Sequence, residues 1–521
     1  MTESTAAPPS RRARAFALYP FLFAAYPVLF LWSQNLGETN AGDVLPILVL
    51  VLAVTAAAMA ILTLLFRDAR RAALVVTPIA VAILLYGHAA ILLKPVHLRP
   101  LLQQAGWVLL ILLGIIAAIR LREPLVRRAT AILNGVALVL VIVALVVIVP
   151  FQAKAAFSAR FEPTAATVPG VPDRPLRDVY YVILDRYGND PALKARFGID
   201  NDLSPWLTDH GFRVLTDSNA NYVKTTLSLA STLNMTHLGD LAARMGADSS
   251  DHAPIFAMLQ DPAVGRQFKA LGYEYIHIGS WYDPTTSDAG ADRNLFLGGP
   301  SDFATTWYDT TAIPVALKRL HLAKRGRSIE ESSYANGMFE WKALSALRDE
   351  PGPKFVFAHI LMPHPPYVFG ADGQFLGKAA TIEEKEARFP NQLRWTNTEL
   401  ETWLQGVLSL PEDRRPIVIV QADEGPYPLP YMRDTVHFDW STASAEELRV
   451  KYGILNAWYM PDGSDPGLSD TMTSVNTFPT LFSGYFGLDV PQLDNRSYTS
   501  AGWDRPYDLT DVTDRITGTS P

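Results

Sequence analysis

Residues 179–185 read VYYVILD, and residues 417–424 read IVIVQADE. Both are continuous apolar runs that end in acid: Asp185 in the first, and Asp423 with Glu424 in the second. Buried parallel strands show this pattern, and open α/β sheets bind ligands just past the carboxyl ends of their strands. The two runs therefore predict a buried parallel sheet whose functional edge carries carboxylates.

Other segments after residue 178 extend the pattern. Strand-like runs begin at residues 273, 354 and 452, and they alternate with helix-like segments such as residues 254–271 and 391–408. This alternation predicts an α/β sandwich with a mostly parallel central sheet. Residues 287–330 contain several Gly and Asp, and we expect them to form a long irregular insertion near the site or the membrane.

The first 150 residues predict a multi-pass α-helical membrane domain. A hydrocarbon core about 30 Å thick needs about 20 mostly apolar residues, and each run here is too long for a cleaved signal peptide. Five runs qualify: residues 15–33, 45–66, 72–93, 103–119 and 130–150.

Arginine sets the predicted orientation. Basic residues concentrate in the segment before the first run and in alternate gaps after it: Arg11, Arg12 and Arg14; Arg67, Arg70 and Arg71; Arg120, Arg122, Arg127 and Arg128. Because basic loops stay in the cytoplasm, the N-terminus is expected inside and everything after the fifth span outside the cytoplasmic membrane of a bacterium. The expected domains are a five-span region (1–150), a juxtamembrane linker (151–177) and an extracytoplasmic catalytic domain (178–521).

Composition excludes several classes of function. The formal net charge of −7 gives no sign of nucleic-acid binding, so no DNA or RNA partner is expected. The chain has no cysteine, which removes disulfides, thiolate metal sites and cysteine nucleophiles. A transporter is a weaker alternative, because the apolar runs hold almost no ionisable residue; His88 is the main exception.

The acidic strand ends suit a metal-dependent reaction. Asp185, Asp423 and Glu424 are hard oxygen donors, suited to Mg²⁺, Mn²⁺ or Ca²⁺ and acceptable to Zn²⁺. A hydroxyl bound to such a cation loses its proton more easily, so either Thr225 or Thr226 could be a nucleophile. We predict that a helix beginning nearby directs its positive N-terminal dipole at an anionic substrate.

These residues carry a family resemblance. The segment from about 178 to 500 resembles the alkaline phosphatase and sulfatase superfamily, and with the five runs ahead of it the chain resembles lipoteichoic acid synthases and membrane phosphoethanolamine transferases. In that family a serine follows the nucleophile by three positions, which favours Thr225 with Ser228. The resemblance implies metal ligation by Asp185, Thr225 and the Asp423-Glu424 pair, and it implies that His364 contacts the substrate's anionic group.

The second acidic motif departs from the family, which usually has Asp-His or Asp-Asn where this chain has Asp423-Glu424. Glutamate favours one divalent cation of the Mn²⁺ or Mg²⁺ type, with Zn²⁺ or Ca²⁺ as alternatives. A degenerate site is the other reading of the same change. Sulfatases of the superfamily use an oxidised Cys or Ser in a Cys/Ser-x-Pro-x-Arg context, and Thr225 has neither that residue type nor that context.

Other polar residues complete the set of candidates. Lys224 and Arg186 flank the proposed ligands and are expected to bind the substrate anion, and His277 and His437 are further candidates for substrate binding. We expect His359, which lies inside a strand, to be structural.

The sequence therefore predicts a metal-dependent phosphoryl or phosphodiester transferase, or a hydrolase, with catalytic Thr225 and His364. Its expected substrate is a membrane lipid or an envelope glycan or polymer. Two alternatives remain: a catalytically degenerate envelope scaffold with this fold, and a sulfuric ester hydrolase.

Overall fold

The structure, a computed structural model, describes residues 16–37, 39, 41–93, 100–158, 167–170, 174–299, 301–320, 328–435 and 438–518. The chain divides into two units. One comprises Met1–Ala156 with Pro300–Gly326, and the other comprises Phe157–Gly299 with Arg327–Pro521.

Helices of the first unit follow the apolar runs of the sequence. The first six are α1 (Tyr19–Gln34), α2 (Ala41–Phe66), α3 (Ala69–Leu84), α4 (Tyr86–Leu93), α5 (Pro100–Arg120) and α6 (Glu123–Ser158). Three stretches are long and apolar enough to cross a membrane: Ala41–Phe66, Leu101–Arg120 and Glu123–Lys154. Helices α1 and α3 have 16 residues each, so five spans stay a prediction. Because α6 runs to Ser158, the start of the expected linker is helical.

The long helices expose apolar side chains. Leu64 of α2 is 80% exposed, Leu113 of α5 53% and Val143 of α6 60%. Large exposed apolar surfaces mark contact with a membrane or a partner. Together with the length of the helices, this surface fits an integral membrane protein.

The second unit is built on a mostly parallel sheet of seven strands, as the sequence predicts. Its strands are β1 (Val179–Leu184), β2 (Arg213–Val214), β3 (Glu274–Ile278), β4 (Arg293–Leu295), β5 (Lys354–Ile360), β6 (Ile417–Gln421) and β7 (Asn456–Tyr459). Their order is β2-β7-β6-β1-β5-β3-β4. The strands from β6 to β4 run parallel, and β7 is antiparallel to both β6 and β2. A separate antiparallel pair consists of β8 (Tyr498–Gly502) and β9 (Arg505–Asp511).

Helices cover both faces of this sheet. The helices that follow α6 are α7 (Asp190–Phe197), α8 (Leu203–Asp209), α9 (Thr225–Leu233), α10 (Gly239–Met245), α11 (Ala253–Gln260), α12 (Ala263–Ala270), α13 (Asp302–Asp309), α14 (Ile313–Arg319), α15 (Ile329–Arg348), α16 (Ile382–Leu408), α17 (Leu429–Arg433), α18 (Ala445–Tyr452), α19 (Thr477–Gly484) and α20 (Thr513–Thr517). Alternate residues of β1 face two different cores. Tyr180 packs with Trp403 of α16, whereas Tyr181 packs with Phe478 of α19. The unit is therefore an α/β sandwich.

Strand register places the acids side by side. Ile183 of β1 pairs with Gln421 of β6 on one side and with His359 of β5 on the other. Asp185 and Asp423 each follow their paired residue by two positions, so they lie level at the carboxyl edge of neighbouring strands.

The segment after β4 differs from the prediction of an irregular insertion. Residues 287–330 contain β4, α13 and α14, and the last two helices belong to the first unit. Phe303 of α13 is buried in an apolar cluster of that unit. The Gly87 amide donates to the Thr310 carbonyl at 2.8 Å, beside the break between α3 and α4. A Cβ on Gly87 would lie 2.7 Å from the Thr310 Cα, so this contact requires glycine. Phe303 and Trp307, four residues apart, are the helical signal in the sequence.

Replacing Phe268 with Ala should destabilise the second unit. The Phe268 ring is fully buried, and its centroid lies 4.0 Å from that of Phe355. Removing such a ring typically costs about 3 to 5 kcal/mol. The measurement is denaturant unfolding of the full-length protein in detergent. The control is Phe296→Ala, which removes a side chain that is 45% exposed and should change stability by less than about 1 kcal/mol. Equal losses for the two variants would contradict the described core.

Candidate metal centre

Three central strands and one helix form the candidate site. Asp185 follows β1 and Asp423 follows β6, and His359 is the penultimate residue of β5. The N-terminus of α9 is tied to the same edge, because the Ser228 hydroxyl donates to the backbone carbonyl of Asp423 at 2.6 Å. This bond gives a structural reason for a serine three positions after Thr225.

Asp185, His359 and Asp423 form the group that could hold a metal ion within the described residues. One ligand atom from each lies within 4.8 Å of the others, and all three side chains are buried. His359 Nε2 is 3.4 Å from an Asp185 carboxylate oxygen. Three of their atoms have no hydrogen-bond partner in the part of the chain that the structure describes: Asp185 Oδ1, His359 Nε2 and Asp423 Oδ2.

The other ring nitrogen of His359, Nδ1, has a hydrogen-bond partner. His359 Nδ1 lies 2.8 Å from the Thr285 hydroxyl, which in turn can donate to the Tyr282 carbonyl at 3.4 Å. A proton on Nδ1 would leave the Nε2 lone pair facing the two carboxylates, as a histidine ligand requires. The unpartnered atoms, their spacing and this support fit a divalent cation bound by two oxygens and one nitrogen.

Charge in the site is unevenly distributed. Burial raises the pKa of Asp423 well above its usual range, and Asp185 and Glu424 raise it further. Burial would also raise the pKa of Asp185, but His364, His359 and Arg186 together hold it below its ordinary value. Two adjacent buried carboxylates favour either a retained proton or a bound cation.

Thr225 is the first residue of α9 and lies beside this group. It is buried, and a hydrogen bond from its side chain partly offsets the rise in the pKa of Asp423. Thr226, the other sequence candidate, is 1% exposed. The contact with Asp423 and the position at the helix N-terminus favour Thr225.

Glu424 has a different environment from Asp423. Its Oε1 atom lies 2.9 Å from Lys451 Nζ and 2.9 Å from Arg186 Nε, and both Glu424 and Lys451 are fully buried. Glu424 is not part of the group of three described above. Its role as a metal ligand stays a prediction.

Both candidate cations for the substrate lie at this edge. Arg186 Nε is 3.6 Å from the Asp185 carboxylate. Lys224, immediately before α9, donates to the Tyr431 hydroxyl at 3.1 Å. The two cations contact the same aromatic ring, that of Tyr427, at 3.9 Å from the Arg186 guanidinium carbon and 5.4 Å from Lys224 Nζ. They stay candidates for substrate binding.

The histidine candidates separate in space. His364 lies in the loop after β5, half-buried, and burial together with Arg186 lowers its pKa to about 3. His277 is buried within β3, with Nε2 2.9 Å from the Thr285 carbonyl, so it supports the residue that contacts His359. His437 lies outside the described residues. Binding of substrate by His277 or His437 stays a prediction.

Sequence reasoning missed two residues of this site. We expected His359 to be structural, yet its Nε2 faces Asp185. The available signal was a lone polar residue near the end of an apolar strand. Lys451 gave no local signal, because a lysine in a charged helical segment is usually solvated. The indirect signal was Glu424, because an acid at the end of an apolar strand-like run needs a cationic partner if it is buried.

No protein-family model matches the chain, and no curated protein matches it. Among solved structures, the C-terminal periplasmic domain of EcEptC from Escherichia coli is 12% identical, and the match covers 66% of this chain and 96% of that chain at a TM-score of 0.40. The integral membrane lipooligosaccharide phosphoethanolamine transferase A (EptA) from Neisseria meningitidis is 12% identical, with 91% and 95% covered and a TM-score of 0.37.

A phosphonate monoester hydrolase of Agrobacterium radiobacter is 13% identical, with 60% of this chain and 74% of that chain covered at a TM-score of 0.39. What the chain does has to come from the side chains of its own site.

Replacing His359 with Gln should reduce the metal bound by the full-length protein, because the change removes the nitrogen ligand. The measurement is metal content per chain by inductively coupled plasma mass spectrometry after dialysis against trace Mn²⁺, Mg²⁺ or Zn²⁺. His252→Gln is the matched control, since His252 is equally buried and bonds to the Trp503 carbonyl. Unchanged metal content in the His359 variant, with metal present in the parent, would contradict the proposed ligand group.

Proposed function

We propose that the second unit is a metal-dependent transferase or hydrolase of a phosphoryl or phosphodiester group, with Thr225 as the nucleophile. The observation that carries this proposal is the position of Thr225 at the N-terminus of α9. Its side chain hydrogen-bonds to the carboxylate of Asp423, which belongs to the buried group Asp185, His359 and Asp423. A bound divalent cation would supply charge neutralisation and would lower the pKa of the hydroxyl.

In the first step, Thr225 Oγ attacks phosphorus and its proton passes towards the Asp423 carboxylate. A Thr225 O–P bond forms, and the bond from phosphorus to the leaving oxygen breaks. The N-terminal amides of α9 and the cations of Arg186 and Lys224 stabilise the negative charge on the transferred group.

His364 is assigned to protonating the leaving oxygen. It is neutral in the structure as it stands, because burial and the neighbouring Arg186 lower its pKa to about 3. An anionic substrate next to the ring favours the protonated form, so substrate binding raises its proton affinity. In the second step, an acceptor hydroxyl attacks the phosphothreonine and passes its proton to His364. The bond between phosphorus and Thr225 Oγ breaks, and the proton on Asp423 returns to Oγ. Water in place of the acceptor would make the enzyme a hydrolase.

The proposed substrates are a membrane lipid donor and an acceptor on an envelope lipid, glycan or polymer. The three apolar stretches that can cross a membrane support this assignment, because an anchored domain meets amphiphilic substrates at high effective concentration. A phosphorus substrate is preferred to a sulfate ester because threonine cannot be oxidised to formylglycine. We further propose that the catalytic unit is extracytoplasmic.

Thr225→Ala should abolish turnover, by about a thousandfold or more, while the fold is retained. Activity is measured on phospholipid vesicles and on a chromogenic phosphodiester, and intact-mass spectrometry of the parent should show a phosphoryl adduct that maps to Thr225. Thr226→Ala is the matched control and should keep the adduct. Unchanged turnover in Thr225→Ala would refute the mechanism, and absence of both adduct and metal in the parent would favour the scaffold alternative.

Because the chain has no cysteine, single cysteines can report its orientation. We expect Ser469→Cys, an exposed site in the second unit, to react with a membrane-impermeant maleimide on intact cells. Arg122→Cys, exposed between α5 and α6, should react only after lysis. The reverse pattern would contradict the proposed orientation.

A further inference from the structure

A buried ion cluster of Glu424, Lys451 and Arg186 lies next to the candidate metal centre. Glu424 Oε1 is shared between Lys451 and Arg186, at 2.9 Å from each. Lys451 also donates to the Gly425 carbonyl at 3.2 Å, and its ammonium lies 3.8 Å from the Tyr427 ring centroid. A buried carboxylate with two cationic partners is already neutralised, so it differs from the unpartnered oxygens of Asp185 and Asp423.

The same cluster fixes Arg186. The backbone of Arg186 has φ 63°, and its amide donates to the Asp423 carboxylate at 3.2 Å. Its Nε bonds to Glu424, and its Nη2 donates to the Tyr427 hydroxyl at 3.0 Å. The Nη1 atom has no hydrogen-bond partner among the residues that the structure describes, and the side chain is 14% exposed.

A guanidinium fixed in this way is suited to binding an anion. The guanidinium lies at the edge of the group of three, with Nε 3.6 Å from the Asp185 carboxylate. Because Glu424 is shared with Lys451, it does not take up the whole positive charge of Arg186. A fixed guanidinium loses less entropy on binding phosphate oxygens than a mobile side chain does.

We propose that Glu424 and Lys451 are a positioning pair that holds the Arg186 guanidinium against an anionic oxygen of the transferred group, and that Glu424 is not a metal ligand. This inference rests on the proposed function, since it assumes that the site takes an anionic phosphorus substrate. It makes Arg186 the binding residue and Glu424 and Lys451 residues that act through it.

The test uses the full-length protein with inorganic phosphate as the probe, and it measures metal per chain and phosphate affinity by calorimetry. The principal variant is Glu424→Gln with Lys451→Met, which removes both buried charges together. We expect it to retain its metal and to bind phosphate about tenfold more weakly. Arg186→Met should show the same loss, and the triple variant should lose no more than Arg186→Met alone, because all three act through one guanidinium.

Lys354→Met is the control, since Lys354 is an equally buried lysine paired with Asp178 and should leave phosphate affinity unchanged. If the double variant does not fold, Glu424→Gln alone replaces it, since this change already removes the carboxylate that bonds to Arg186 Nε. Loss of metal or unchanged phosphate affinity in the double variant, or in Glu424→Gln where it replaces the double variant, would overturn the inference. It would also be overturned if the triple variant bound phosphate more weakly than Arg186→Met, or if the parent bound no phosphate. Thr225→Ala should still bind phosphate, so failure of the nucleophile and failure of this pair give different results.

Discussion

The structure depends on the burial of two carboxylates at the ends of neighbouring parallel strands. Asp185 and Asp423 are each 1% exposed, and like charges at that depth are costly unless a proton, a cation or hydrogen bonds compensate them. Much of the surrounding arrangement supplies such compensation. His359 faces them from the next strand, the Arg186 amide caps one of them, and the helix dipole of α9 begins beside Thr225. A metal ion would complete the balance and give the arrangement its chemistry.

Most of the architecture of the second unit could be predicted from the sequence, because its strands are buried on both faces. The runs VYYVILD and IVIVQADE became the central β1 and β6, and their register made the terminal acids neighbours. The segment after β4 could not be predicted in the same way. Its Gly and Asp content indicated an irregular loop. Phe303 instead packs α13 against helices of the first unit that are far away in sequence, and such a long-range contact is not encoded in the local pattern.

The positions of Asp185 and Asp423 after strands and of Thr225 at the start of a helix could be predicted from the sequence, while their functional roles stay predictions. Contacts with a partner from another element could not be predicted in this way. His359 looked structural until the strand order placed β5 beside β1. The pairing of Glu424 with Lys451 of α18, at 2.9 Å, could not be read from the sequence either, and ligation of a metal by Glu424 stays a prediction. Side-chain direction and charge pairing are tertiary properties, which spacing along the chain leaves open.

The geometry of the site points to one cation bound by Asp185, Asp423 and the Nε2 atom of His359. Pulsed electron paramagnetic resonance of the full-length protein loaded with Mn²⁺ tests it most directly, because nitrogen coupled to the metal modulates the spin echo. We expect modulation from one imidazole nitrogen in the parent protein and none in His359→Gln, whose residual Mn²⁺ would have oxygen ligands alone. Bound Mn²⁺ without imidazole modulation in the parent, or modulation that survives in His359→Gln, would contradict it.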